Sequence, residues 1–229
     1  MDVVSGGRVI ARLVAGLIIG ERMVARLARN TDIAALIEAG RDASSRGLVL
    51  ASAGNMSVRL ADGLFAITGS GVWFDELTVE SFAVLDAAGR HHSGVQPSSE
   101  WKLHQRVYAA RPDVNCVIHL HPQTATLLAT LGCEIRLLTL DHASYLGSIG
   151  VSEFFDNGSD ELADAVAAQL GAHNCVLMKH HGCTVVADTV EMAYRRALNL
   201  ESAAQMTVTA LQLGDENTVF PVVGRATHA

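Results

Sequence analysis

Between Gly47 and Gly89 the chain is cut into short apolar runs, Leu48-Val49-Leu50, Met56 to Leu60, Leu64 to Thr68 and Phe82 to Asp86, with small polar loops such as Ser52-Ala53-Gly54-Asn55 and Gly69-Ser70-Gly71 between them. Runs this short are too brief for helices but fit strands, and the alternation Met56-Ser57-Val58-Arg59-Leu60 gives a strand one buried face. Strand, tight turn, strand is therefore expected here, which points to hairpin-like, antiparallel pairing.

Helical periodicity brackets this region. Thr31-Asp32 caps a helix carrying Ile33, Leu36, Ile37 and Ala43 as far as Gly47. Pro97-Ser98-Ser99-Glu100 opens a second helix through Leu103, Val107 and Tyr108 to Pro112, and Val114 to His121 reads as a strand that Pro122 stops. Thr124 to Leu131 and Asp160 to Leu170 are further helices, with no element assigned between Leu131 and Gly158. Cys175 to Lys179 and Cys183 to Ala187 are strands around a turn at His181-Gly182, and a long helix from Thr189 to Leu213 follows. Helices before, between and after short strands predict an α/β fold, a three-layer α/β/α sandwich around a central, largely antiparallel sheet. Residues 1–30 read as a helical N-terminal extension and 31–229 as a single domain.

At 229 residues, 49% of them apolar and 18% charged, the chain can build a core without cystine staples. Its four cysteines form no CxxC pair, so Cys116, Cys133, Cys175 and Cys183 are expected to be reduced core residues of a cytoplasmic protein. A formal charge of −7 argues against nucleic acid as a partner and leaves a small molecule as the expected one. Leu13 to Ile19 is too short to span a membrane, and Asp2 spoils the basic start of a signal peptide, so no membrane partner is expected.

His119-Leu120-His121 is the strongest local signal. Alternate residues of a strand share a face roughly 6.6 Å apart, so both imidazoles can reach one cation while Leu120 points into the core. Taken alone, the pattern also fits two histidines that face solvent or are satisfied in the core. A second cluster, His180-His181-Gly182, sits at a strand end where glycine permits a turn, and His181, beside that turn, is the member expected to face the first pair. Three histidines with an open position make a catalytic site for zinc or a similar divalent ion. Glu100, at a helix start just before HxH, is either a cap or a candidate general base. His104, on the same helical face, is a rival ligand. Three small polar loops, containing Ser52 and Asn55, Ser70 and Gly71, and Ser98 and Ser99, offer hydroxyls, backbone N–H groups and a helix N-terminus to a phosphate or carboxylate. Each loop alone also reads as an ordinary turn.

Taken in order, Ser52 to Arg59, Ile67-Thr68-Gly69-Ser70-Gly71, Pro97 to Glu100, His119-Leu120-His121 and His180-His181-Gly182 resemble the class II aldolase/adducin family. The resemblance runs from about Ile33 to Leu213. It implies one divalent ion per subunit on His119, His121 and His181, zinc in the first place with manganese or cobalt as alternatives. Glu100 then serves as acid/base, and Ser52, Asn55, Ser70, Gly71, Ser98 and Ser99 hold phosphate. It also implies a homotetramer with active sites between subunits. The expected activity is a metal-dependent carbon–carbon lyase, cleaving a phosphorylated ketose in a retro-aldol through a metal-stabilised enediolate. The alternatives are decarboxylation of a hydroxy-aromatic or 3-oxo acid, and a non-enzymatic adducin-like scaffold, which the three retained histidines disfavour. Aldolases of the family use a tyrosine after HxH and another in the C-terminal tail, both from a neighbouring subunit. Here a gapless reading puts Leu140 at the first position, with Tyr145 matching only after a shift, and no tyrosine follows Leu213. The epimerases' acidic residue has no clear counterpart, although Asp141 and His142 lie close by.

Overall fold

The computed structural model describes residues 31–221; the expected helical extension at 1–30 lies outside them. The described chain begins with α1 (Thr31–Ser45), followed by β1 (Asn55–Arg59), β2 (Leu64–Thr68), β3 (Phe82–Asp86) and β4 (His91–Gly94). Next come α2 (Trp101–Ala110), β5 (Cys116–Leu120), α3 (Gln123–Leu131), α4 (Leu140–Leu146) and β6 (Ile149–Ser152). The chain then forms α5 (Asp160–Leu170), β7 (Cys175–Met178), β8 (Gly182–Ala187) and the long α6 (Val190–Gln212). The strands make one sheet in the order β4-β3-β2-β1-β5-β8-β7-β6, antiparallel except for the parallel β6–β7 pair.

Strand alternation divides the core in two. Met56 and Val58 of β1 and Cys116, Ile118 and Leu120 of β5 enter the cluster under α1, α3 and α6. Phe65 and Ile67 of β2 and Val117 of β5 face the other way, against Leu103, Val107 and Tyr108 of α2 and Leu162, Val166 and Leu170 of α5. The result is the three-layer sandwich. Asn55 pairs with His119 and Ser57 with Val117 across β1 and β5, so Asn55, Ser57 and His119 all project to the face that α2 covers.

Leu48-Val49-Leu50 is not a strand. Leu48 N–H donates to Ala43 O and closes the end of α1, and Leu48 and Val49 fill the core from a turn. The stretch between Leu131 and Gly158 holds α4 and the edge strand β6, and β4 is a further strand beyond those expected. Cys116, Cys175 and Cys183 are buried thiols as expected, whereas Cys133 is exposed and contributes nothing to the core. Among the described residues no helix is long and apolar enough to cross a membrane.

Candidate active site

Three chain segments converge where β1, β5 and β8 meet the N-terminus of α2. His119 is the fourth residue of β5 and fully buried; His121 lies just past the strand end, its backbone N–H donating to Leu48 O at 3.2 Å. His181 precedes β8, in a turn held by its own N–H donating to Met178 O at 3.1 Å. The backbone of this turn takes its left-handed residue at His180, with φ of 60°, not at Gly182. Gly182 is needed for a different reason: a Cβ there would stand 2.3 Å from Leu120 O and 2.8 Å from the His121 ring. The missing side chain lets β8 close on β5 beside the histidines.

The rings of His119, His121 and His181 have centroids 4.8, 4.9 and 5.0 Å apart, and their ligand atoms all lie within 4.8 Å of one another. His180 points elsewhere, stacking edge-on near Phe154, with its N–H on the Thr130 hydroxyl. His104 is also outside the cluster, because both its ring nitrogens are engaged by Asn55 and Ser57. Glu100 is inside it: Oε2 lies 3.2 Å from His119 Nε2 and Oε1 3.4 Å from His181 Nε2. The Glu100 side chain makes no cap to α2.

A divalent cation fits this donor set. His119 Nδ1–H donates to Cys183 O at 2.8 Å, so Nε2 is the nitrogen that would give its lone pair to a cation, and it faces His121 Nε2 at 2.9 Å. Glu100 Oε1 is buried without a hydrogen-bond partner. Imidazole lone pairs and a carboxylate converging on one point repel each other unless a cation or proton lies between them. Burial and the neighbouring charge on His119 push His121 down to about 3 and His181 to about 4, so both offer lone pairs at neutral pH. Burial lowers His119 too, but the Glu100 carboxylate outweighs it and raises that ring. Burial likewise raises Glu100, and the charge and hydrogen bond of His119 with the Asn55 hydrogen bond overcome it and hold the carboxyl well below the usual range.

The polar loops lie beside this cluster to different extents. Gly69 bridges Pro97, and Ser98 N–H donates to Thr68 O at 3.1 Å, so the Ser70-Gly71 and Ser98-Ser99 segments are adjacent. Ser70 and Ser99 are exposed; Ser98 is buried, with its hydroxyl accepting from Glu100 N–H at 3.3 Å. Ser70 N–H is spent on Gln96 O, leaving its hydroxyl and the Gly71 backbone to meet an anion. Ser52 is exposed in the turn before β1, and Asn55 is buried with its amide between Glu100 and His104. Leu140 is exposed at the start of α4, and Asp141 is exposed next to it, while His142 turns inward to Ser202. The three tyrosines are engaged elsewhere: Tyr108 with Ser57, Tyr145 with Arg195, Tyr194 with Asp42. Ser57, Tyr108 and Glu201, which accepts from Thr124 N–H and Ala125 N–H and so fixes the start of α3 just after His121, escape a reading of the sequence because their partners lie 47 to 77 residues away.

The Class II Aldolase and Adducin N-terminal domain matches residues 34–208. The chain is 33% identical over 188 residues to L-fuculose phosphate aldolase of Escherichia coli strain K12, covering 82% of this chain and 87% of that protein. It is also 33% identical over 181 residues to 5-methylthioribulose-1-phosphate/5-deoxyribulose-1-phosphate aldolase of Rhodospirillum rubrum, covering 79% of this chain and 81% of the other. The crystal structure of L-fuculose-1-phosphate aldolase from Thermus thermophilus superposes with a TM-score of 0.72 at 31% identity, over 81% of this chain and 97% of that one. Two sugar-phosphate aldolases, one solved aldolase fold and a domain match over most of the described residues agree with the order of the five motifs: the chain belongs to the class II aldolase/adducin family.

Proposed function

We propose that the chain is an aldehyde-lyase that cleaves a phosphorylated ketose into dihydroxyacetone phosphate and an aldehyde, with His119, His121 and His181 holding a divalent ion. The observation that carries this reading is the convergence of three imidazoles and the unpartnered Glu100 Oε1 on one point. An ion there supplies a Lewis acid for the ketose oxygens and for the negative charge that develops as the C3–C4 bond breaks. Zinc is the first choice, since it takes three histidines with an open position.

In the retro-aldol direction the C4 hydroxyl gives its proton to Glu100 Oε1, the C3–C4 electron pair stays with C3, and the C4 fragment departs as an aldehyde. C3 then takes a proton to complete dihydroxyacetone phosphate. Glu100 moves that proton. Its buried carboxyl is held ionised by its neighbours, and Oε1 is free to bind the proton and pass it on. Ser52, Asn55, Ser70, Gly71, Ser98 and Ser99 form the phosphate end, with the Ser52, Ser70 and Ser99 hydroxyls as its exposed donors. The three tyrosines are hydrogen-bonded within the fold and an identical subunit adds no other, so the proton of the C4 oxygen falls to Glu100 as well. The homotetramer with sites between subunits is part of this proposal. The exposed Leu127, Leu131, Leu140, Val151 and Phe154 on α3, α4 and β6 and beyond support such an assembly. The reduced thiols agree with a cytoplasmic setting, and residues 31–229 act as a single catalytic domain.

Incubation of the metal-loaded protein with a panel of ketose 1-phosphates and of hydroxy-aromatic and 3-oxo acids tests the reaction class. Dihydroxyacetone phosphate is the expected product. Carbon dioxide from an acid, without any triose phosphate from the ketoses, overturns the aldolase reading in favour of a decarboxylase.

A further inference from the structure

Behind Glu100, buried polar side chains stand in single file. Asn55 Nδ2 donates to Glu100 Oε2 at 2.8 Å, and Asn55 Oδ1 lies 2.5 Å from His104 Nε2. On the other side of that ring, His104 Nδ1 lies 2.6 Å from Ser57 Oγ, which in turn lies 2.7 Å from Tyr108 OH. Asn55, Ser57 and His104 are almost wholly withdrawn from solvent, so none of them can exchange a lost partner for water.

The orientation of the Asn55 amide sets the direction of every proton in this file. Asn55 turns its amino group, a donor only, to Glu100 Oε2 and its carbonyl, an acceptor only, to His104. His104 must then donate from Nε2, and because burial holds this ring neutral, its pKa lowered to about 3, Nδ1 is left as an acceptor. Ser57 spends its one proton on Nδ1, and Tyr108 must therefore donate to Ser57. The opposite order would turn the Asn55 carbonyl to Glu100, which is stable only with a proton on Oε2, and would end on the 3.4 Å contact of Tyr108 OH with Asn115 O. That last link is long, so the forward order is preferred.

We propose that His104 is a positioning residue for the aldol chemistry: by donating from Nε2 it locks the Asn55 amide, which clamps Glu100 Oε2 as an acceptor and leaves Oε1 as the oxygen that carries the proton. The proposal rests on the reading of Glu100 as the proton carrier. His104 touches neither substrate nor ion, and it acts only through Asn55. Without it the carboxylate keeps its charge but loses its fixed orientation, so turnover suffers more than binding.

The proton order is read directly on the unaltered enzyme by long-range proton–nitrogen NMR of histidine-labelled protein. His104 is expected as the neutral Nε2–H tautomer, and an Nδ1–H tautomer overturns the proposal. In steady state His104→Phe should lower kcat about 10–100-fold, the cost usual for residues that orient a reacting group, with KM and metal content nearly unchanged. His104→Gln, which can still present an N–H to Asn55, should recover most of the loss. Wild-type kcat in His104→Phe overturns the proposal, as does a Gln variant no better than Phe; if the Phe variant fails to fold, the tautomer and the Gln variant decide. An Nε2–H His104 in a protein that cleaves no ketose phosphate overturns the aldolase reading and leaves the proton order standing, whereas active wild type with an Nδ1–H ring overturns the positioning role alone.

Discussion

His119 and His121 face each other through their Nε2 atoms at 2.9 Å, and the Cys183 carbonyl, taking the Nδ1 proton of His119, leaves Nε2 as the nitrogen turned to the cluster. Strand register produces this pair, since the two residues lie on one face around Leu120, whose side chain is fully buried on the other. The tautomer comes from β8, one strand away.

Replacing His121 by Ala should therefore remove most of the bound divalent ion, because two imidazoles in place of three leave the site short of a ligand. Metal analysis after dialysis checks this. Stoichiometric metal at unchanged affinity would remove His121 from the ligand set.

Glu100→Gln keeps the shape of the side chain and cannot take a proton. Turnover is expected to fall by roughly 10²–10⁴, the usual contribution of a positioned acid/base, with metal retained. Near-normal turnover would return Glu100 to a structural role.

Gly182→Ala places a methyl group 2.3 Å from Leu120 O and 2.8 Å from the His121 ring, so β8 and β5 must separate. A stability loss of about 1–3 kcal/mol is expected, as for other overpacked sites, together with weaker metal binding. Urea unfolding and a metal titration measure the two effects. Wild-type values of both would show that the close approach is not needed.

The stability of the protein should fall on the acid side partly because of His104. The unfolded histidine protonates near its ordinary 6.5, while the folded ring, desolvated by burial, does so only at about 3. Above 6.5 neither state binds the proton and stability is full; as pH falls from 6.5 towards 3 the unfolded chain gains a proton that the folded one does not, costing about 1.4 kcal/mol per pH unit. Unfolding free energies of wild type and His104→Gln between pH 6.5 and 4.5 should diverge in slope by about one proton. Parallel slopes would mean that the ring is charged in the fold.

Ser70→Ala combined with Ser99→Ala should raise KM for a phosphorylated ketose, and inorganic phosphate should compete with it. Hydrogen bonds to a charged group are worth about 1.5–3 kcal/mol each, so a shift of tenfold or more is expected. An unchanged KM would place the phosphate elsewhere.

The strands and the histidine cluster are legible in the sequence because their signals are local. Phe82 to Asp86 alternates between two buried faces, and HxH depends only on strand geometry. By contrast, β4 is His91-His92-Ser93-Gly94, a polar edge strand with no apolar face to reveal it, formed by pairing with β3 across an irregularity at Val84/Leu85. Leu48-Val49-Leu50 has a strand's composition but is claimed by the end of α1. Ser57, His104 and Tyr108 sit at ordinary positions in a strand and a helix, and what they do depends on contacts made across 47 to 51 residues. Glu100 is visible as a helix-start carboxylate, but only the fold shows that it bonds Asn55 and not its own helix.

The central claim, that these histidines and Glu100 support proton transfer at C3 of a triose phosphate, is tested most directly without knowing the aldehyde. Dihydroxyacetone phosphate incubated in deuterium oxide with metal-loaded protein should exchange one C3 hydrogen for deuterium, followed by NMR. The exchange should stop with chelator and fall roughly 10²–10⁴-fold in Glu100→Gln. Incorporation no faster than in buffer, with stoichiometric metal bound, would contradict the account.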